Sequence, residues 1–124
     1  MKLIIIDGVE YSLTPLTKKT TNPIILEQHL KFEVYPKDLG EHTWENAKKL
    51  CEELGDGWRL PTREELHLIW LNKDKIGGFA AASYWGSSEN SSNFAWDQYF
   101  YNGSQDDSSK YDTYYVRAVR DSKN

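Results

Sequence analysis

Between Gly86 and Tyr115 the chain contains no Leu, Ile, Val or Met, and nineteen of those thirty residues are Ser, Tyr, Asp or Asn. That restricts what the segment can build. Ser, Asp and Asn compete with a helical backbone for hydrogen bonds, so a long helix is disfavoured. Eight of the thirty positions are aromatic, and disordered segments lack the apolar surface those rings supply. Strands are left, with rings as the buried element. Tyr with Ser, Gly and Asn is also the vocabulary of antigen-binding loops, because Tyr offers large contact area with few torsions to freeze.

The strand Phe94–Tyr101 can be read by parity. Phe94, Trp96, Gln98 and Phe100 share one face, and Ala95, Asp97, Tyr99 and Tyr101 share the other. Trp96 and Phe100 mark the first as the core face, so Asp97, Tyr99 and Tyr101 are expected to face outward. Phe94 fits either side if a bulge intervenes. A β-rich strand, Tyr114 to Arg120, closes the pattern.

Upstream, Leu3–Ile6 and Val9–Leu13 read as two strands joined by a tight Asp7-Gly8 turn. Pro15 to Thr21 is a connection. From Ile24 to Tyr35 the pattern does not choose between helix and strand, although Glu33-Val34-Tyr35 before Pro36 favours extension. Two helices follow. Thr43 is placed to cap the first, which carries Trp44, Ala47, Leu50, Cys51 and Leu54 at helical spacing and ends at Gly55. Thr62 and Glu65 form a capping-box signature for the second, which turns Leu66, Ile69 and Trp70 inward. It fades near Asn72-Lys73-Asp74, and Gly77-Gly78 breaks the chain. The order strands, helices, strands gives an α+β fold, two helices packed on a mainly antiparallel sheet, in one domain spanning residues 1–124.

Function classes narrow by subtraction. The net charge is −4, and the acids and the one base between Gly86 and Tyr115 account for all of it. Such a surface disfavours nucleic acid and sulfated polysaccharide, which need basic patches. Cys51 is the only cysteine, so there is no internal disulfide, and it reads as a small buried hydrophobe. His29, His42 and His67 have no metal-ligand spacing, His67 lying on a solvated helix flank. Gly77-Gly78 lacks the residues of a phosphate loop, and Asp106-Asp107 lacks the alternation of a calcium loop. Neither catalysis, a cofactor nor a metal is expected. The apolar run after Lys2 is too short for a signal-peptide core or a membrane span. Cytoplasmic synthesis, no membrane insertion and a monomer are the expectations.

Four ordered blocks carry a resemblance. Gly57-Trp58-Arg59-Leu60-Pro61-Thr62-Arg63-Glu64-Glu65-Leu66, Tyr84-Trp85-Gly86-Ser87-Ser88-Glu89, Ala95-Trp96 and Tyr115-Val116-Arg117-Ala118-Val119-Arg120 together resemble the C-type-lectin-fold domain at the C-terminus of a bacterial collagen-like adhesin. They also resemble the variable proteins of diversity-generating retroelements. The resemblance covers roughly residues 33–120. It implies a C-type lectin fold whose termini share a sheet.

The second family implies a mechanism of variation. There a reverse transcriptase miscopies adenines, so Asn codons of the form AAY become NNY and reach Asn, Ser, Tyr, Asp, Phe, Thr and others. Only Glu89, Trp96, Gln98, Gln105 and Lys110 fall outside that set in this stretch. Core-face parity accounts for Trp96 and Gln98 as framework, and the Ser-Ser-Glu block accounts for Glu89. The resemblance thus implies a ligand-contacting role for Asn90, Ser91, Asn93, Phe94, Asp97, Tyr99, Tyr101, Asn102, Ser104, Asp106, Asp107, Ser108, Ser109, Tyr111, Asp112 and Thr113, held as one surface. It implies a protein or cell-surface ligand and a receptor-binding role on a virion. A fixed-sequence adhesin domain is the alternative. The chain lacks the Glu-Pro-Asn or Gln-Pro-Asp triplet of calcium-dependent lectins. It also lacks the paired cysteines of the formylglycine-generating oxidases that share the fold.

Overall fold

The computed structural model describes residues 2–6, 9–13 and 30–122, with side chains from residue 32 onward. Strands β1 (Lys2–Ile6) and β2 (Val9–Leu13) pair antiparallel from Lys2↔Leu13 to Ile6↔Val9. That register is the expected hairpin; its Asp7-Gly8 turn lies outside the described residues, as do the Pro15–Thr21 connection and His29. The ambiguous stretch before Pro36 resolves in its described part as strand β3, Leu30–Val34. β3 pairs parallel with β1 and antiparallel with β9 (Val119–Asp121). The first sheet therefore runs β2-β1-β3-β9 and brings the two ends of the chain together.

The second sheet runs β4-β8-β5-β6-β7, from β4 (Glu41–His42), β8 (Tyr114–Tyr115), β5 (Ser83–Glu89), β6 (Phe94–Tyr99) and β7 (Gln105–Ser109). Its pairs are antiparallel except β5–β8. The expected terminal strand is thus split. Tyr114-Tyr115 belongs to the second sheet and Val119–Asp121 to the first, so Val116-Arg117-Ala118 has to cross between them.

Helix α1 (Trp44–Glu53) buries Trp44, Ala47 and Cys51, and Gly55 follows its C-cap at φ +77°. Thr43 holds the N-cap position, but its side chain makes no capping bond. Helix α2 (Arg63–Leu71) has the expected capping box: Glu65 N–H donates to Thr62 Oγ1 at 3.1 Å and Thr62 N–H to Glu65 Oε1 at 2.9 Å. A short helix not foreseen, α3 (Lys73–Ile76), follows before Gly77 and Gly78, both at positive φ.

Two apolar clusters flank the second sheet. Phe32, Val34, Leu66, Ile69, Tyr84, Phe100 and Val119 form one, between the sheets and α2. Trp44, Ala47, Cys51, Leu60, Trp85, Ala95, Val116 and Ala118 form the other, against α1. The neighbours Tyr84 and Trp85 point to opposite faces of β5, and both are 0 % exposed. The central strand is therefore covered on both sides.

Candidate ligand-recognition surface

Strand β6 lies beside β5, and β7 forms the free edge of the sheet. Opposed residues Ala95↔Ser108 and Asp97↔Asp106 share one face with Tyr99; Phe94↔Ser109, Trp96↔Asp107 and Gln98↔Gln105 share the other. The first face continues the side of Trp85, which pairs with Asp97.

Covering both faces of β5 changes the expected parity. Ala95 is fully buried and Asp97 only 5 % exposed. Asp97 does lie opposite the face of Gln98, but that side is roofed near β5: the Tyr114 ring sits 4.7 Å from Trp85, and Tyr114 Oη donates to Ser108 Oγ at 3.2 Å. Ser108 in turn donates to Asp97 Oδ1 at 2.6 Å. Burial pushes the Asp97 carboxyl above its ordinary range. The hydroxyls of Ser108 and Ser83 oppose that shift, and Asp106 and Asp107 add to it. Asp97 is a buried support, not an outward contact.

Trp96 departs from expectation in the other direction. It is half-buried, with the Arg63 guanidinium stacked 3.6 Å from its ring centroid. Gln98 is fully buried, as parity required. Its amide donates to Gly103 O at 2.8 Å and to His67 Nδ1 at 3.1 Å. His67 is exposed, yet it is tied into this network and stacks on Trp70.

The connections fall at the two ends of the β6–β7 hairpin. At one end the 90–93 turn meets the 110–113 connection through Lys110 N–H to Asn93 O, 2.9 Å. Ser91 Oγ accepts from the N–H groups of Asn93 and Phe94, and Asn90 Nδ2 donates to Asp107 Oδ2 at 2.6 Å. Asn90, Ser91, Asn93, Tyr111, Asp112 and Thr113 are all exposed there. The 100–104 turn is at the other end, with Tyr101, Asn102 and Ser104 exposed; Asn102 Oδ1 accepts from Ser104 N–H at 3.0 Å. Between the ends Asp106 is exposed, while Asp107, Ser108 and Ser109 are half-buried. The sixteen expected contact residues thus occupy two ends and parts of two faces rather than one patch.

Exposure of large apolar side chains is concentrated here. Among the described residues these are Phe94 (42 %), Tyr99 (39 %), Tyr101 (71 %) and Tyr111 (82 %). Tyr99 and Tyr101 lie side by side, ring centroids 5.8 Å apart.

Three further side chains support the hairpin. Lys110, the lone base of the acidic stretch, donates to Glu89 Oε2 at 2.6 Å and Ser92 O at 2.9 Å, and its ammonium lies 4.3 Å from the Trp44 ring centroid. It holds the two connections to α1, and it keeps the Glu89 carboxyl below its ordinary range. Gln105 is held twice by Arg63, through Arg63 Nε to Oε1 and its own Nε2 to Arg63 O, and also donates to Gln98 Oε1. Trp70, expected to be inward, is half-buried and donates to Phe100 O at 3.1 Å, while its ring leaves no room for a Cβ at Gly103. A solitary base among acids was the available signal for Lys110. Nothing in sequence marked Arg63 as the partner of Gln105.

Among the described residues no group of three or more His, Cys, Asp or Glu is arranged to hold a metal ion, and no helix is long and apolar enough to cross a membrane. Cys51 is fully buried, and that burial pushes its thiol up to about 12.

No curated protein matches the chain. A family model described as the Lcl C-terminal domain matches residues 17–120, a span that takes in β3, the whole second sheet with its edge hairpin, and both long helices. An α+β domain without disulfides, its termini joined in one sheet, is compatible with a C-type lectin fold. On that match the chain belongs to the Lcl C-terminal domain family.

Proposed function

We propose that residues 90–113 form a ligand-recognition surface, diversified by a retroelement and carried on a non-enzymatic Lcl-type scaffold. One observation carries this reading. Of the five residues beyond the reach of a mutated Asn codon, Trp96, Gln98 and Gln105 bind α2 or one another, and Glu89 and Lys110 bind each other beside α1. The exposed rings of Phe94, Tyr99, Tyr101 and Tyr111 are all types that such a codon reaches. The five residues outside the codon set thus all serve the framework and the exposed rings all fall within the set, while Asp97, within the set but buried, joins the framework. A rigid hairpin presenting tyrosines with low rotamer entropy suits a protein or cell-surface ligand. A virion receptor-binding role is consistent with it. Cys51, whose buried neutral thiol is a poor nucleophile near pH 7, offers no cysteine nucleophile.

A second reading, a fixed-sequence adhesin domain, is favoured by the same framework. Glu, Gln and Lys codons (GAR, CAR, AAR) each contain an adenine. Error-prone copying at adenines would therefore strike Glu89, Gln98, Gln105 and Lys110 as well as the contact residues.

Sequencing the DNA that flanks the gene separates the two. Diversification requires a near-copy of the codons for residues 86–120, differing mainly at adenines, and a reverse-transcriptase gene close by. If complete flanking sequence has neither, the surface is of fixed sequence.

A further inference from the structure

The acids of this hairpin are uncompensated on the side where its tyrosines stand. By register, Tyr99, Asp106 and Ser108 share one face of β6–β7, and Tyr101 stacks beside Tyr99. Tyr114, which roofs that face, is 3.5 Å from Asp112 Oδ2, which brings Asp112 to the same side. Asp106 and Asp112 are exposed, and neither forms an ion pair with any described base. The one base of the stretch adds little opposing field, because the Lys110 side chain is 11 % exposed and its ammonium is spent on Glu89.

We infer that this face docks a basic protein surface, one that presents Arg or Lys side chains to Tyr99, Tyr101, Asp106 and Asp112. The inference rests on the recognition-surface reading above and names the chemistry of the partner. Charge complementarity selects it. A tyrosine face attracts a cation through its ring quadrupole, and a guanidinium stacks on it. The Asp106 carboxylate diagonal to Tyr99, and the Asp112 carboxylate farther along the same face, add attraction that steers the encounter and fades with salt. An acidic or phosphate-bearing partner would meet like charge at both aspartates.

Capture on an immobilised array of short random-sequence peptides, at low salt, tests this. The expected captured set is enriched in Arg and Lys, and capture falls as NaCl is raised. Asp106→Asn with Asp112→Asn should weaken it roughly fivefold, the scale of two exposed charge contacts. Tyr99→Ala with Tyr101→Ala should weaken it about tenfold or more, as anchor residues do, without moving the melting temperature. Removing the same charge elsewhere, through Glu53→Gln with Asp74→Asn on the exposed sides of α1 and α3, should change nothing. Equal weakening by both neutralised pairs would show attraction to net charge alone and overturns the inference. Tyrosine-dependent capture of neutral or acidic peptides also overturns it, while leaving the recognition surface standing. No capture, or capture that no variant alters, overturns both.

Discussion

A carboxylate inside a sheet has to be supported by its neighbours, and Asp97 shows how far that support reaches. Ser108 and Ser83 supply hydroxyls, yet burial still leaves the carboxyl raised. The sign follows from linkage. With a folded pKa above the unfolded one, the folded state binds more protons, so Asp97 subtracts stability as pH rises through that interval. No such penalty exists below the ordinary Asp range, about 3.9. Asp97→Asn should therefore melt at or above the parent near pH 7, with the advantage shrinking as pH falls toward that range. Thermal melts across pH check this; a variant destabilised at neutral pH would mean that the hydroxyl bonds outweigh burial. The two tryptophans of neighbouring strands make a second contrast. Trp85 is fully buried and donates to His42 O at 2.8 Å, so Trp85→Ala should cost about 3–5 kcal/mol. Trp96, half-buried under Arg63, should cost about 2 kcal/mol in the same urea titration. Parity placed Gln98, Phe100, Tyr99 and Tyr101 correctly. It misjudged Asp97 because it assumes one wet face, and here Tyr114, seventeen residues downstream, roofs part of the other.

At the scale of elements, local signals were legible where the physics is local. The Thr62–Glu65 box, the Gly55 stop and the apolar stripe of α1 are each set within one or two turns of chain, and all three are present. Thr62→Ala should cost about 1 kcal/mol in a denaturant midpoint assay. Thr43→Ala should cost clearly less, because the Thr43 hydroxyl caps nothing; equal losses would contradict the geometry. Strand assignments to a particular sheet were not legible. Tyr114 to Arg120 reads as one strand because its propensity is continuous, and it divides because two sheets compete for its ends. The edge hairpin was readable as strands, but its supports Arg63 and Trp70 come from α2, and long-range pairing of that kind leaves no periodicity behind.

Across the whole molecule the crossing segment Val116–Ala118 is pinned by a charge. Arg117 is 1 % exposed, its Nε donates to Asp38 Oδ1 at 2.8 Å, its Nη2 to Gly78 O at 2.7 Å, and its guanidinium lies over Phe79. Tyr84 Oη donates to the other oxygen of the same aspartate at 2.7 Å. One buried ion pair thus joins the segment after β3, the glycine loop and the link between sheets. Arg117→Ala should cost about 3–5 kcal/mol, the cost of leaving a buried partner uncompensated. Adding Asp38→Ala should cost much less than the two single losses summed, measured as a double-mutant cycle. The separation of the hairpin's two ends has a consequence for ligand size. They are divided by the six residues of β6, roughly 20 Å of strand. A single sugar ring or small metabolite would fill one end and leave the other wet. On the proposed recognition role, a macromolecule long enough to touch both ends would make its second contact intramolecularly, so that two weak footholds combine into one firm attachment.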